Sequence, residues 1–106
     1  MFQLFDEKRQ RRYALTGKVK EIGRARECDI CLTGDDKTSR IHARLDWDGC
    51  GWNVRDLDST NGLYVNGTQV KASKLRPGDT IKIGRTTFRF LPYDTGSFEL
   101  DDSTVM

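Results

Sequence analysis

Short stretches in which apolar and polar side chains alternate recur along this chain, and helical periodicity is almost absent. In residues 43–48 and 87–90 every second residue is apolar, and in residues 52–55 Trp52 and Val54 alternate with polar residues. Alternation with a period of two is typical of a β-strand that has one buried face and one solvated face. The pattern therefore predicts an all-β chain.

Turn-forming residues separate these stretches. The dipeptides Asn61-Gly62, Asn66-Gly67 and Pro77-Gly78 predict turns, and Asp48-Gly49-Cys50-Gly51 predicts a hairpin loop. The charged run from Lys8 to Arg12 is expected to form the tip of an early hairpin. Strands are predicted near residues 2–5, 13–15, 18–23, 29–32, 42–47, 52–57, 63–65, 68–70, 80–83 and 86–91. Short, regularly spaced strands joined in this way favour an antiparallel β-sandwich or barrel.

Length and composition are those of one small domain. The chain has 106 residues, of which 36% are hydrophobic and 32% are charged, as in ordinary soluble globular proteins. The apolar start, Phe2 to Phe5, is too short for a signal peptide or a membrane span, so a cytoplasmic location is expected. Alternation stops at Tyr93, which predicts a domain at residues 1–92 and an acidic, flexible tail or linker at residues 93–106.

Charge is unevenly distributed along the chain. Residues 93–106 contain four acidic side chains and no Lys or Arg, so the net charge of +2 becomes +6 for the first 92 residues. A basic body favours anionic partners, including phosphopeptides and nucleic acids, without choosing between them.

The three cysteines do not have the spacing of a metal site, and no βαβ pattern typical of a redox site surrounds the C-x-x-C pair. Cys28 and Cys31 form a single C-x-x-C pair, and neither Cys50 nor His42 completes a zinc pattern. We therefore expect no metal or cofactor, and we expect these cysteines to be small apolar residues in or beside a strand.

Candidate chemistry is concentrated in the predicted turns. Gly23-Arg24, Ser39-Arg40-Ile41-His42, Ser59-Thr60-Asn61-Gly62 and Asn66-Gly67 follow one another along the chain. Guanidinium, hydroxyl and amide groups are hydrogen-bond donors for an oxyanion, and the Arg fork suits a phosphate because it makes two parallel bonds and stays charged. In order and spacing, these motifs resemble the forkhead-associated (FHA) domain over roughly residues 19–90.

The resemblance implies an FHA-like antiparallel β-sandwich of about 10–11 short strands whose loops bind phosphothreonine peptides. It makes Arg24 the main phosphate ligand and Ser39 a hydroxyl donor to the phosphate. Asn61 would bond the peptide main chain beside the phosphothreonine. Thr60 would contribute to the phosphate pocket, and Lys37 and Arg40 would be further cationic contacts.

Other residues of the same motifs are expected to support the site without touching the peptide. By resemblance His42, the sole histidine, holds the recognition loops on the sandwich, and no orienting carboxylate or metal ligands accompany it in sequence. Gly23 and Gly62 are likewise structural, and Asn66-Gly67 is expected to form a tight hairpin turn.

The sequence thus predicts a phosphothreonine-dependent protein–protein interaction module in Ser/Thr kinase signalling, which is not an enzyme. Its expected partner is a phosphothreonine-containing protein or peptide marked by an upstream kinase, with no membrane partner. One alternative is an FHA-type scaffold that docks partners without phosphate. A second, from another class, is a β-barrel that binds single-stranded nucleic acid. The four aromatics Trp47, Trp52, Phe88 and Phe90 lie on apolar strand positions and are expected in the core, which weighs against base stacking.

Overall fold

The computed structural model describes residues 1–93, and within them the chain forms eleven β-strands in two sheets. Their bounds are β1 (Phe2–Asp6), β2 (Arg11–Ala14), β3 (Val19–Gly23), β4 (Ile30–Cys31), β5 (Ala43–Trp47), β6 (Trp52–Asp56), β7 (Leu63–Val65), β8 (Thr68–Val70), β9 (Ala72–Lys74), β10 (Thr80–Ile83) and β11 (Thr86–Pro92). No helix in this described part has the length and hydropathy required to cross a lipid bilayer.

The strands form a two-layer sandwich. The six-stranded sheet has the order β2-β1-β11-β10-β7-β8, and the five-stranded sheet has the order β4-β3-β5-β6-β9. All strand pairs are antiparallel except β3 and β4, where Ile22 lies opposite Ile30 and Gly23 opposite Cys31 in parallel register. The predicted antiparallel β-sandwich of short strands is confirmed, with this one parallel pair as a difference.

The core lies between the two sheets and is built from the apolar phase of each strand. Fully buried examples are Leu45 and Val54 in the five-stranded sheet, and Ile81 and Phe88 in the six-stranded sheet. Three of the four aromatics predicted to be buried are in this core. Trp47 is the exception: its side chain is 36% exposed, because it lies at the end of β5 and packs beside Trp52 at a ring distance of 6.0 Å.

The first hairpin is tighter than the sequence predicts. The turn covers residues 7–10, and β2 begins at Arg11, two residues before the predicted strand. Arg11 and Arg12 belong to β2, an edge strand, where charged residues are common because they discourage association with other chains. The Arg12 guanidinium also lies 4.2 Å from the centroid of the Phe5 ring, a contact that a continuous charged run does not reveal.

The predicted hairpin loops and turns are present. In the β7–β8 turn Asn66 and Gly67 have φ angles of +52° and +83°, and the Asn66 side chain bonds Asp79 and the Thr80 N–H of the neighbouring strand. In the β5–β6 loop the Asp48 carboxylate accepts hydrogen bonds from the Asn53 amide of β6 and from two backbone N–H groups, and these bonds lower the pKa of its carboxyl to about 2.

Strand ends determine where the motifs meet. The β3–β4 loop (residues 24–29), the β4–β5 loop (residues 32–42), the β6–β7 loop (residues 57–62) and the β10–β11 turn all leave the same end of the sandwich. Residues far apart in sequence are thereby brought close together at this end. The expected tail at residues 93–106 lies, apart from Tyr93, outside the described residues.

We expect Phe88→Ala to lower the free energy of unfolding by about 3–5 kcal/mol, because it removes a fully buried ring and leaves a cavity in the core. The matched control is Thr87→Ala on the exposed face of the same strand, which should change stability by less than about 0.5 kcal/mol. Urea unfolding followed by tryptophan fluorescence measures both values, and equal midpoints for the two variants would contradict the assignment of β11 to the core.

Candidate functional site

The His42 imidazole lies at the centre of the loop end and is fully buried. The backbone N–H of Ser39 donates to its Nδ1 at 3.0 Å, so the ring proton is on Nε2 and donates to the Gly62 carbonyl at 2.8 Å. The His42 backbone also bonds Ile22 and Leu57. One residue therefore connects strand β3 with the β4–β5 and β6–β7 loops.

Gly23 allows two of the loops to lie against each other. A Cβ atom at this position would be 2.1 Å from the Arg40 carbonyl oxygen, a distance that no side chain tolerates. Directly after Gly23, the N–H groups of Arg24 and Ala25 donate to the carbonyls of Ser39 and Arg40, each at 3.0 Å. The β3–β4 loop is consequently attached along the β4–β5 loop.

The Arg24 side chain is exposed but held at one point. Its Nε donates to the Thr38 carbonyl at 3.1 Å. Among residues 1–93 no carboxylate lies within ion-pair distance of it. Because Nε is bonded to the loop, the two terminal nitrogens remain available to an external anion in a restricted orientation.

Ser39 and Thr60 connect the two central loops through a single hydrogen bond. The backbone N–H of Thr60 donates to the half-buried Ser39 Oγ at 3.0 Å. Since this bond uses a lone pair of Oγ, the hydroxyl proton is available for an acceptor outside the protein. Inside the β6–β7 loop, Ser59 Oγ bonds Asp56 and accepts from the Gly62 N–H, which stabilises the turn.

The Asn61 amide is oriented by the opposite loop. Its Nδ2 donates to the Lys37 carbonyl at 2.8 Å, while the residue as a whole is exposed. The second N–H of the amide and its carbonyl oxygen can then bond the main chain of an extended peptide. Lys37 and Arg40 are exposed beside this region, and Arg40 has a loose ion pair of 4.0 Å with Glu27.

The structure does not bring all predicted supporting residues to the site. Gly62, with a φ of +86°, is in the β6–β7 loop and its carbonyl bonds His42. Asn66 and Gly67 lie at the opposite end of β7, where they close the β7–β8 turn. Strand β7 separates them from Gly62 and the site.

Cys28 and Cys31 contact the same loops, whereas Cys50 is exposed in the β5–β6 loop. Cys28 is buried, and its Sγ lies 3.4 Å from the Arg40 carbonyl oxygen. Burial, together with the negative charge of Glu21, raises the pKa of the Cys28 thiol, so it is a poor nucleophile. Within residues 1–93 no three His, Cys, Asp or Glu side chains are grouped so as to hold a metal ion.

Asp35 is a residue of this region that the sequence reasoning missed. Its side chain is 1% exposed and accepts from the N–H groups of Lys37 and Arg85 and from the Thr86 hydroxyl. Burial alone would raise the pKa of its carboxyl, but these hydrogen bonds outweigh burial, and the pKa is lowered. The carboxylate thus attaches the β4–β5 loop to the six-stranded sheet.

The sequence contains only part of the information needed to identify Asp35 as a structural residue. An Asp side chain that bonds the N–H two residues later forms a common turn, and Asp35 does so with Lys37. Its other partners, Arg85 and Thr86, are separated from it by about half the length of the chain, and no local sequence pattern predicts these contacts.

Comparison with known proteins identifies relatives of the chain as a whole. A family model described as the FHA domain matches residues 20–84. The FHA domain-containing protein FhaB of Mycobacterium tuberculosis is 39% identical over 82 residues, which are 76% of this chain and 52% of FhaB. The chain therefore spans about half the length of the curated relatives it matches.

Solved structures resemble the whole sandwich. An FHA domain analysed for phosphothreonine-dependent interactions superposes with a TM-score of 0.81 and 32% identity, covering 88% of this chain and 97% of that one. Mycobacterium tuberculosis EmbR in complex with a low affinity phosphopeptide gives a TM-score of 0.82 and 33% identity, covering 85% and 24% of the two chains.

We expect Gly23→Ala to destabilise the fold by about 1–3 kcal/mol and to displace the β4–β5 loop, because the new methyl group would overlap the Arg40 carbonyl. Gly34→Ala is the matched control, since a Cβ there meets nothing within 4 Å. Urea unfolding of both variants tests this. If Gly23→Ala unfolds at the same urea concentration as Gly34→Ala, the close approach of the loops is not tight.

A second expectation concerns acid stability. Because the pKa of Asp35 is lowered by folding, its stabilising contribution is present above the unfolded pKa of about 3.9 and is lost as the pH falls through the folded pKa. The difference in unfolding free energy between the native chain and Asp35→Asn should be largest near pH 7 and should shrink below about pH 4. A difference that does not vary with pH would contradict the proposed network.

Proposed function

Because the chain belongs to the FHA family, we propose that it is a phosphothreonine-dependent protein–protein interaction module in Ser/Thr kinase signalling. The family model covers more than half of the chain, so the resemblance inferred from the sequence is confirmed.

The main observation behind the proposal is that Arg24, Ser39 and Asn61 each form a hydrogen bond with a neighbouring loop, which brings the three side chains together. Arg24 is fixed by Thr38, Ser39 accepts from Thr60, and Asn61 donates to Lys37. Each bond orients a side chain while leaving at least one N–H or O–H donor of that side chain unused. A site whose donors are already ordered loses less conformational entropy on binding, which favours affinity.

These residues have distinct roles in the proposed complex. The Arg24 terminal nitrogens bind two phosphate oxygens, and the Ser39 hydroxyl donates to the phosphate group. Asn61 fixes the register of the peptide by bonding its main chain next to the phosphothreonine. Lys37 and Arg40 add positive charge, and Thr60 completes the pocket.

The energies are sufficient for a transient signalling interaction. A phosphothreonine carries a charge of about −1.5 to −2 at pH 7, and each charge-assisted hydrogen bond contributes on the order of 1.5–3 kcal/mol. Three or four such bonds, less the free energy lost in ordering the peptide, reach the roughly −8 kcal/mol of micromolar affinity.

We propose that the module has no catalytic activity of its own. Both ring nitrogens of His42 are engaged with backbone groups, so the only histidine cannot serve as a general base without breaking the loop structure. The domain is proposed to span residues 1–92 in a cytoplasmic protein, followed by an acidic tail or linker. An upstream Ser/Thr kinase would create the mark that this module recognises.

We expect Arg24→Ala to weaken binding of phosphothreonine peptides by roughly tenfold to a hundredfold, the equivalent of one lost charge-assisted contact. Arg26→Ala is the matched control, because Arg26 is an exposed arginine of the same loop. The measurement is fluorescence anisotropy with degenerate peptide libraries containing phosphothreonine, phosphoserine or unmodified threonine.

Binding that requires phosphothreonine and Arg24 supports the proposal. Equal affinity for all three libraries would instead make the chain a phosphate-independent scaffold. Loss of affinity in the Arg26→Ala control as large as in Arg24→Ala would mean that only net charge matters.

A further inference from the structure

A groove continues from the proposed phosphothreonine site onto the outer face of the six-stranded sheet. It has a volume of about 520 Å³. Its lining residues include Lys37 and Asn61 from the proposed site, and Lys8, Tyr64, Lys82 and Arg85 from the sheet and from two of its turns. A peptide held by Asn61 would therefore enter this groove with its neighbouring residues.

The floor of the groove is a pair of neighbouring strands. Tyr64 in β7 and Lys82 in β10 are register partners, and the Lys82 ammonium lies 6.0 Å from the centroid of the Tyr64 ring. Both alternate with buried residues of their strands, so their side chains are on the solvent face. Lys8 reaches the groove from the β1–β2 turn, and Arg85 from the β10–β11 turn.

Positive charge in this groove is largely uncompensated. Arg85 is paired with Asp36 at 2.8 Å, but among residues 1–93 no carboxylate lies within 4.0 Å of the ammonium groups of Lys8, Lys37 and Lys82. In the five-stranded sheet, Arg44 pairs with Glu21 at 3.4 Å. The ammonium groups of Lys8, Lys37 and Lys82 thus give the groove beside the proposed site a local excess of positive charge.

We propose that this groove binds Asp and Glu side chains that flank the phosphothreonine in the partner peptide, while the phosphothreonine of that peptide occupies the Arg24 site. The inference rests on the proposed function. An extended peptide advances about 3.3 Å per residue, so carboxylates within about five residues of the phosphothreonine can reach the three lysines. The groove offers one aromatic surface and several ammonium groups, a chemistry that suits carboxylates better than apolar side chains.

Selectivity follows from the arrangement of these charges. The lysines lie in an exposed groove, where each ion pair is worth little alone and is screened by salt. Together they would favour acidic over neutral peptides by a modest factor and would accelerate the encounter of such peptides with the site.

The test compares two phosphothreonine peptides of identical sequence except that residues flanking the phosphothreonine are Asp and Glu in one and Ser and Gln in the other. Both are titrated into the full chain, into Lys8→Ala/Lys82→Ala, and into Lys18→Ala/Lys71→Ala. The last variant removes the same charge from exposed lysines elsewhere. Urea unfolding establishes that both variants are folded, and a single-stranded oligonucleotide is titrated in parallel.

The expected result is a roughly three- to tenfold preference for the acidic peptide at low salt, lost in Lys8→Ala/Lys82→Ala and retained in Lys18→Ala/Lys71→Ala. Affinity for the neutral peptide should stay nearly constant in all three proteins. Salt at about 0.5 M should reduce the preference because it shortens the range of charge interactions.

Equal affinity for the two peptides, or a preference that survives Lys8→Ala/Lys82→Ala, overturns the inference while leaving the phosphothreonine site intact. Oligonucleotide binding that depends on Lys8 and Lys82, without any preference for the acidic peptide, also overturns it and assigns the groove to nucleic acid. If the native chain binds neither peptide, the proposed function itself has failed, and this inference fails with it.

Discussion

The loop end of this sandwich depends on one buried imidazole that is bonded to backbone on both sides. His42 accepts from the Ser39 N–H and donates to the Gly62 carbonyl, and its own main chain continues the bonding toward Ile22 and Leu57. A buried backbone group without a partner costs free energy comparable to a lost hydrogen bond. Loops that must be connected here without regular strands therefore require a side chain with a donor and an acceptor on opposite edges, which the neutral imidazole provides.

Around this centre, two further contacts hold the β4–β5 loop in place. Gly23 lets the backbone of Arg40 come within a distance that any side chain would prevent, and the Asp35 carboxylate joins the same loop to Arg85 and Thr86. His42, Gly23 and Asp35 thus each hold the β4–β5 loop against a different part of the sandwich. Arg24, Ser39 and Asn61 can consequently be exposed and still be oriented, which is the physical requirement for recognising a small, highly charged group with few contacts.

Much of this architecture could be predicted from particular residues. Alternation at residues 52–55 and 87–90 marked strands that are buried on one face, and Asn66-Gly67 marked a hairpin turn with positive φ angles. The short strand β9 was missed because its three residues, Ala72 to Lys74, have no buried apolar face and are recognisable only by pairing with β6. The start of β2 was misplaced because the charged residues Arg11 and Arg12 have the composition of a loop. Only their pairing with Asp6 and Phe5 of β1 identifies them as strand residues.

The sequence by itself determined the fold class, the family and the candidate donors, since strand periodicity, turn residues and a spaced set of motifs are all local properties of the chain. Only the tertiary structure decided the surroundings of each side chain. Trp47 is partly exposed. Asp35 is buried and bonded to Thr86, and Lys8 and Lys82 line one groove with Asn61. Such contacts join residues tens of positions apart. Their energies depend on burial and on geometry between strands, which no local pattern of residues encodes.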